Sequence, residues 1–321
     1  MTKTKILIIQ DDPKDSLPQL AAAFPDCDFH ACAADETVED ALGRVGPQIV
    51  FGLHGLRFPA HTHAAALNCP TVRWLHNGGA GVDHLPPWDP RKVVVTNSAG
   101  VSSRFMAETV TGAILMMNFG FPAYLRQQEA HIWRKLPWTS LSEKTVLIVG
   151  LGGIGSAVAE RLRMFGAHVI GARRGSSVCP HVDEQIPMEH LANALPRADY
   201  VCIHVPNTAA THHLVDADFL SRMRPGAILV NTSRGAQVDE VALISALQAG
   251  HLGGAYLDVF ATEPLPQDSA LWDMPNVVIS PHHADAALGW QSGSVAFFTE
   301  NLRRYLAGQR MTNICDPHRG Y

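Results

Sequence analysis

The chain has 321 residues, with 25 Lys and Arg against 30 Asp and Glu and a formal charge of −5. That length exceeds what one hydrophobic core supports and predicts two domains with a cleft between them, while 46% apolar and 17% charged residues describe an ordinary globular protein. The acidic balance provides no basic face, which argues against nucleic acid as a partner.

At the N-terminus, Ile6–Ile9 reads as a strand, because its apolar run stops at Gln10 and two aspartates and is too short for a secretory signal. Strands are predicted next at Ile49–Phe51 and Val93–Thr96. A helix follows over Ser102–Asn118, which is expected to leave the first domain and pack on the second. It overlaps the longest mostly apolar run, Thr109–Leu125, which contains Asn118, glycines and Pro122 and falls short of the roughly 20 apolar residues of a membrane span. This run reads as a buried helix and a turn, and no membrane association is expected.

The aromatic loop His131–Trp138 precedes a fresh series of strands at Val146–Val149, His168–Gly171, Tyr200–His204, Ile228–Asn231, Gly254–Asp258 and Val277–Ser280. Helical patterns intervene at Ile154–Phe165, Ala217–Met223 and Glu240–Ala249, the last stopped by Gly250. Alternation of this kind is the mark of βαβ units, so the fold class is α/β with a mainly parallel sheet. The six cysteines, at 27, 32, 69, 179, 202 and 315, form no CxxC pair and are expected to be reduced thiols in the cytoplasm. His61-Thr62-His63 lacks the further ligands of a metal site, so no metal is expected.

The run from Val146 through Gly150, Gly152, Gly153, Ile154 and Gly155 places GxGxxG between a buried strand and a helix. Gly150 permits a tight turn, Gly152 lets backbone approach a pyrophosphate, Gly155 lets helix and sheet close, and the helix N-terminus faces the phosphates. Eighteen residues past Gly155, where an NAD site carries Asp or Glu for the ribose, stand Arg173, Arg174 and then Ser176. Two guanidinium groups suit a 2′-phosphate, so NADP(H) is the expected cofactor and NAD(H) remains possible, with solvated surface arginines as the competing explanation.

Three later segments put polar residues just beyond a predicted strand: Arg234-Gly235, Asp258 with Glu263, and His282-His283. An arginine there can grip a carboxylate and polarise the neighbouring carbonyl, and a histidine can protonate an alkoxide as hydride arrives. Glu263 beside His282 would raise the histidine's pKa and fix its tautomer.

Together with Gly79-Ala-Gly-Val-Asp-His84, Ala107-Glu108, Val205-Pro206-Asn-Thr208, Thr211, Asn231–Gly235, Leu257–Pro264 and Ser280–Ala284, these residues resemble the D-isomer-specific 2-hydroxyacid dehydrogenase family. The resemblance implies two Rossmann-like, doubly wound parallel-sheet domains, a discontinuous substrate-binding domain at 1–98 and 284–321 and an NADP-binding domain at 99–283. By the same resemblance Arg234, Glu263 and His282 are the catalytic residues, and Ala80 and Gly81 bind substrate through their amides alongside Arg234 and His282. Val205, Pro206, Thr211, Thr232, Ser233 and Asp258 line the cofactor, Asp258 at the nicotinamide carboxamide.

A homodimer is implied as well. Within the family the arginine pair, Trp133, Pro206-Asn-Thr208 and Arg319-Gly-Tyr321 are similar to the NADPH-dependent glyoxylate/hydroxypyruvate reductase branch, which predicts reduction of a small 2-oxo acid to the D-2-hydroxy acid. With no third pattern after the last predicted helix, the longer phosphoglycerate dehydrogenases fit less well. His283 and Asp285 depart from the usual aliphatic and small residues, and a carboxylate at 285 facing an anionic substrate would weaken its binding. The alternatives are an NAD-linked dehydrogenase for a bulkier substrate and a non-enzymatic, cofactor-sensing binding protein.

Overall fold

Short β-branched runs at the start of the chain become strands β1 (Thr4–Ile9), β2 (Cys27–Ala31), β3 (Ile49–Gly52), β4 (Trp74–Asn77) and β5 (Val94–Asn97), separated by helices α1 (Ser16–Ala23), α2 (Val38–Val45) and α3 (Ala65–Asn68). These assignments come from a computed structural model that describes residues 3–33, 36–53 and 57–320. The five strands pair in parallel in the order β2-β1-β3-β4-β5. Strand alternation sends Leu7, Ile9, Val50, Leu75 and Val95 into one core and Ile6, Ile8, Ile49, Phe51 and Trp74 into another, so both faces of the sheet are covered.

The second unit carries helices α4 (Ser103–Asn118) and α5 (Phe121–Glu129), then strands β6 (Thr145–Val149), β7 (His168–Arg173), β8 (Glu184–Pro187), β9 (Tyr200–Ile203), β10 (Ile228–Asn231), β11 (Gly254–Leu257) and β12 (Val277–Ile279). Between them run α6 (Gly153–Met164), α7 (Leu191–Ala194), α8 (Ala217–Arg222) and α9 (Glu240–Gln248). All seven strands are parallel, in the order β12-β11-β10-β9-β6-β7-β8. Strand order therefore reverses between β6 and β9, the switch point where open α/β sheets hold ligands at the carboxyl ends of their strands. Val146 and Ile148 face a core shared with Ala107, Val110 and Ile114 of α4 and Val158 and Leu162 of α6, while Leu147 and Val149 face the opposite core.

The chain then ends in α10 (Trp290–Leu306), whose Val295, Phe298 and Leu302 recur at helical spacing and pack on the first sheet. Phe298 stacks on Phe51 with ring centroids 4.4 Å apart, which ties α10 to β3. The compact units are accordingly Met1–Val101 with Leu288–Tyr321, and Ser102–Ala287.

Three strands escape the sequence pattern. The segments β2 and β8 are sheet edges with polar residues in CDFHA and EQIP, and β4 buries His76 and Asn77 at its end, so none shows a clean apolar run. Beyond Asn118 the predicted turn is confined to Phe119-Gly120, after which α5 begins. Pro122 is tolerated there because the first helical turn needs no donor from it. No helix among the described residues is long and apolar enough to cross a membrane.

Candidate active site and cofactor cradle

At the end of β6, Gly150 adopts φ +107°, and a Cβ there would stand 2.4 Å from the carbonyl oxygen of His204. A Cβ at Gly155 would lie 2.0 Å from the Gly150 carbonyl oxygen, so only glycine lets α6 start this close to the strand. Nothing lies within 4 Å of the corresponding position at Gly152, which with exposed Gly153 leaves the N-terminus of α6 open. Ile154 packs against the core shared with α4. A close backbone turn under an open helix N-terminus fits a pyrophosphate.

Arg173 ends β7, its Nη1 donating to the Ser177 carbonyl at 3.0 Å while its Nε is buried without a partner. With Arg174, Ser176 and Gln185 it lines a cavity of about 260 Å³. Gln185 accepts from the Cys179 N–H at 2.9 Å and donates to the Ser177 carbonyl at 3.0 Å, stitching the arginine loop to β8. Sequence reading missed Gln185, since its strand went unpredicted.

At the next strand ends, Val205 accepts from Gln237 Nε2 at 2.7 Å and the Pro206 carbonyl accepts from Thr211 Oγ1 at 2.6 Å. The Ser233 hydroxyl donates to the Ile203 carbonyl at 2.8 Å, so Thr211 and Ser233 shape the loops with their own side chains. Thr232 Oγ1, in contrast, is buried with no partner, a polar atom left for a ligand. These features together fit the adenine dinucleotide that the glycine pattern implies.

Strands β10, β11 and β12 are neighbours, so the residues beyond them converge. His282 Nδ1 and Glu263 Oε2 are 2.7 Å apart. The Phe260 N–H holds the other Glu263 oxygen at 3.0 Å. Hydrogen bonding to Glu263 raises the His282 pKa against the opposing effects of burial and of Arg234's charge. Burial alone would raise the Glu263 pKa, but the bonds from His282 and Phe260, with the nearby positive charges, hold it below the usual carboxylate value.

Arg234 is thus close enough for its charge to act on both partners, and its Nη1 donates to the Ser233 carbonyl at 2.8 Å. A Cβ at Gly235 would fall 1.8 Å from the Phe260 carbonyl carbon, so glycine is what lets the Arg234 turn lie against the Glu263 loop. Asp258 is 1% exposed and binds its own surroundings: Ser280 Oγ, the His283 N–H at 2.8 Å and the Ala284 N–H at 3.0 Å all donate to its carboxylate. The His282 N–H donates to the Asp258 carbonyl at 2.7 Å, and His282 itself sits at φ +50°. Asp258 and Ser280 therefore fix the loop that presents the imidazole. Ala80 and Gly81 lie in the first unit, in the turn after β4.

Residues 111–284 match the family described as D-isomer specific 2-hydroxyacid dehydrogenase, NAD binding domain. The D-3-phosphoglycerate dehydrogenase of Mycobacterium leprae is 35% identical over 246 residues, 75% of this chain and 46% of that protein, so the chain spans less than half the length of this relative. Glyoxylate/hydroxypyruvate reductase B of Pectobacterium atrosepticum is 33% identical over 304 residues, 92% of this chain and 90% of that protein. The crystal structure of a D-isomer specific 2-hydroxyacid dehydrogenase from Xanthobacter autotrophicus in complex with NADPH and MES has 31% identity and a TM-score of 0.83, over 100% of both chains. The chain belongs to the D-isomer specific 2-hydroxyacid dehydrogenase family.

Proposed function

We propose that this chain is an NADPH-preferring reductase that converts a small 2-oxo acid of the glyoxylate or hydroxypyruvate type to its D-2-hydroxy acid. The observation that carries the reading is the His282–Glu263 pair at 2.7 Å, set with Arg234 at the carboxyl ends of adjacent parallel strands. A bound reduced nicotinamide supplies a hydride to the carbonyl carbon. Arg234 pairs with the carboxylate and polarises the carbonyl, orienting the acid. His282 gives its Nε2 proton to the oxygen that gains charge, while Glu263 accepts from Nδ1 and keeps the ring in that orientation. In this reading the unit Ser102–Ala287 binds the cofactor and the other unit binds the substrate.

Steady-state reduction of glyoxylate, hydroxypyruvate, pyruvate and phenylpyruvate with NADPH and NADH in parallel tests this. Fast turnover of a small acid with NADPH supports it. NADPH binding without turnover of any 2-oxo acid would favour a cofactor-sensing protein instead.

Reduction requires protonated His282, so kcat/KM is expected to be flat on the acid side of its raised pKa and to fall as pH rises through it. In Glu263→Gln the raising charge is gone and the fall moves to lower pH. An unmoved pH–rate profile would remove Glu263 from the proton chemistry.

The preference for NADPH rests on Arg173 and Arg174 beside their cavity and on the NADPH-bound relative. Alanine at both positions is expected to raise the KM for NADPH by about 10- to 100-fold, the worth of one or two hydrogen bonds to a charged group, and to leave that for NADH nearly unchanged. Equal effects on both cofactors would contradict a 2′-phosphate role.

A homodimer belongs to the same reading. The segment around α5 exposes Phe121, Leu125, Ile132, Trp133 and Trp138, with Trp133 99% exposed, an apolar concentration that a monomer rarely leaves in water. Light scattering is expected to give twice the chain mass for the wild type and a monomer for Trp133→Ser with Leu125→Ser; a monomeric wild type would refute pairing.

A further inference from the structure

Strands β4 and β5 both end on asparagine, and their parallel register sets Asn77 opposite Asn97. These side chains are 1% and 5% exposed, where an amide without partners is costly. Each directs its donors at the loop that follows β4. Asn77 Nδ2 donates to the carbonyls of Gly79 at 3.0 Å and Gly81 at 2.9 Å, and Asn97 Nδ2 donates to that of Ala80 at 2.6 Å. The Ser98 N–H adds a bond to Gly79 at 3.1 Å, and Ser294 Oγ on α10 reaches the Gly78 carbonyl at 2.9 Å. Carbonyls 78 to 81 are thus all held by donors from the sheet edge and from α10.

In a planar trans peptide the N–H of the next residue points opposite to the carbonyl. Holding these four carbonyls on one side turns the N–H groups of Gly79, Ala80, Gly81 and Val82 to the other. None of the four donates to an acceptor among the described residues. Ala80 is exposed and its glycine neighbours partly so, while Val82 is buried, which leaves the N–H groups of Gly79, Ala80 and Gly81 as a short row of donors facing outward, the arrangement that binds an anion. Behind the clamp, His76 bonds Thr96 at 2.7 Å and Ser98 at 3.1 Å, and Ser98 bonds Ser294 at 2.8 Å, so the anchoring residues are themselves fixed.

We infer that Asn77 and Asn97 are positioning residues that hold carbonyls 79 to 81 back, so that the adjoining amides receive the carboxylate of the substrate. This rests on the reductase reading, since it takes the anion to be a 2-oxo acid. Asn97→Asp puts an acceptor where the Ala80 carbonyl needs a donor. The KM for the best 2-oxo acid is expected to rise about tenfold or more, as for loss of a hydrogen bond to a charged group, with the KM for NADPH within about twofold of wild type. Asn97→Ser, which retains a donor, is expected to recover part of the loss.

Oxalate titration of the ¹⁵N-labelled protein gives a readout free of turnover. The amide resonances of Ala80 and Gly81 should shift in the wild type and stay still in Asn97→Asp. Unchanged KM, or equal shifts in both proteins, would overturn the inference. If the wild type reduces no 2-oxo acid, the reductase reading fails, and loss of the oxalate shifts in the variant still upholds the clamp. Should Asn97→Asp fail to fold, Asn97→Ser is titrated in its place, and shifts equal to wild type overturn the clamp.

Discussion

His282→Ala is expected to lower kcat for 2-oxo acid reduction by about 10²–10⁴-fold, the usual contribution of a positioned proton donor, and to leave the Tm nearly unchanged. The small stability effect follows from position: the side chain is 46% exposed, and its imidazole pairs with Glu263 at the rim of the loop rather than with the core. Its loop is held by backbone and Asp258 bonds that do not involve the imidazole. Cofactor binding should also survive, because the glycine turn and the arginine loop lie beyond β6 and β7, several strands away in the same sheet. A pH-independent residual rate would identify water as the substitute proton source. Rates near wild type would sink the assignment of His282 as the acid.

Arg234→Ala is expected to reduce kcat/KM by about 10²–10³-fold, comparable to loss of one donor that stabilises developing negative charge. Two effects combine. The guanidinium would orient the carboxylate through paired bonds, and its charge acts on both His282 and Glu263. Removing it relieves the lowering of the His282 pKa, so the pH profile should move upward even as the rate falls. Arg234→Lys keeps charge without the planar fork and should recover only a small part. A loss confined to KM, with kcat intact, would restrict Arg234 to binding.

Gly150, Gly152 and Gly155 could be read from the sequence because each answers a steric demand visible in the pattern, and the structure supplies the close contacts that enforce two of them. Glu263 and His282 were legible as residues beyond strands, but the 2.7 Å contact between segments 19 residues apart depends on the pairing of β11 with β12. Asn77 and Asn97 were not singled out. A polar residue ending a strand looks like ordinary strand termination, and its worth emerges only when the register places the two side by side.

Asp258 was singled out as a residue beyond a strand, but its bonds were not legible: its carboxylate accepts from Ser280 and from two backbone amides that the turn after β12 brings to it. Edge strands β2 and β8 were illegible for a simpler reason, because one-sided pairing removes the need for a continuous apolar run.

The most direct measurement follows the hydride itself. The protein is incubated with hydroxypyruvate and NADPH deuterated at C4 of the nicotinamide, and the product's label position and configuration are determined. Direct transfer predicts glycerate of D configuration carrying deuterium on C2. Unlabelled product from both C4-deuterated epimers, product of L configuration, or no product despite bound NADPH would contradict a D-specific 2-oxo acid reductase.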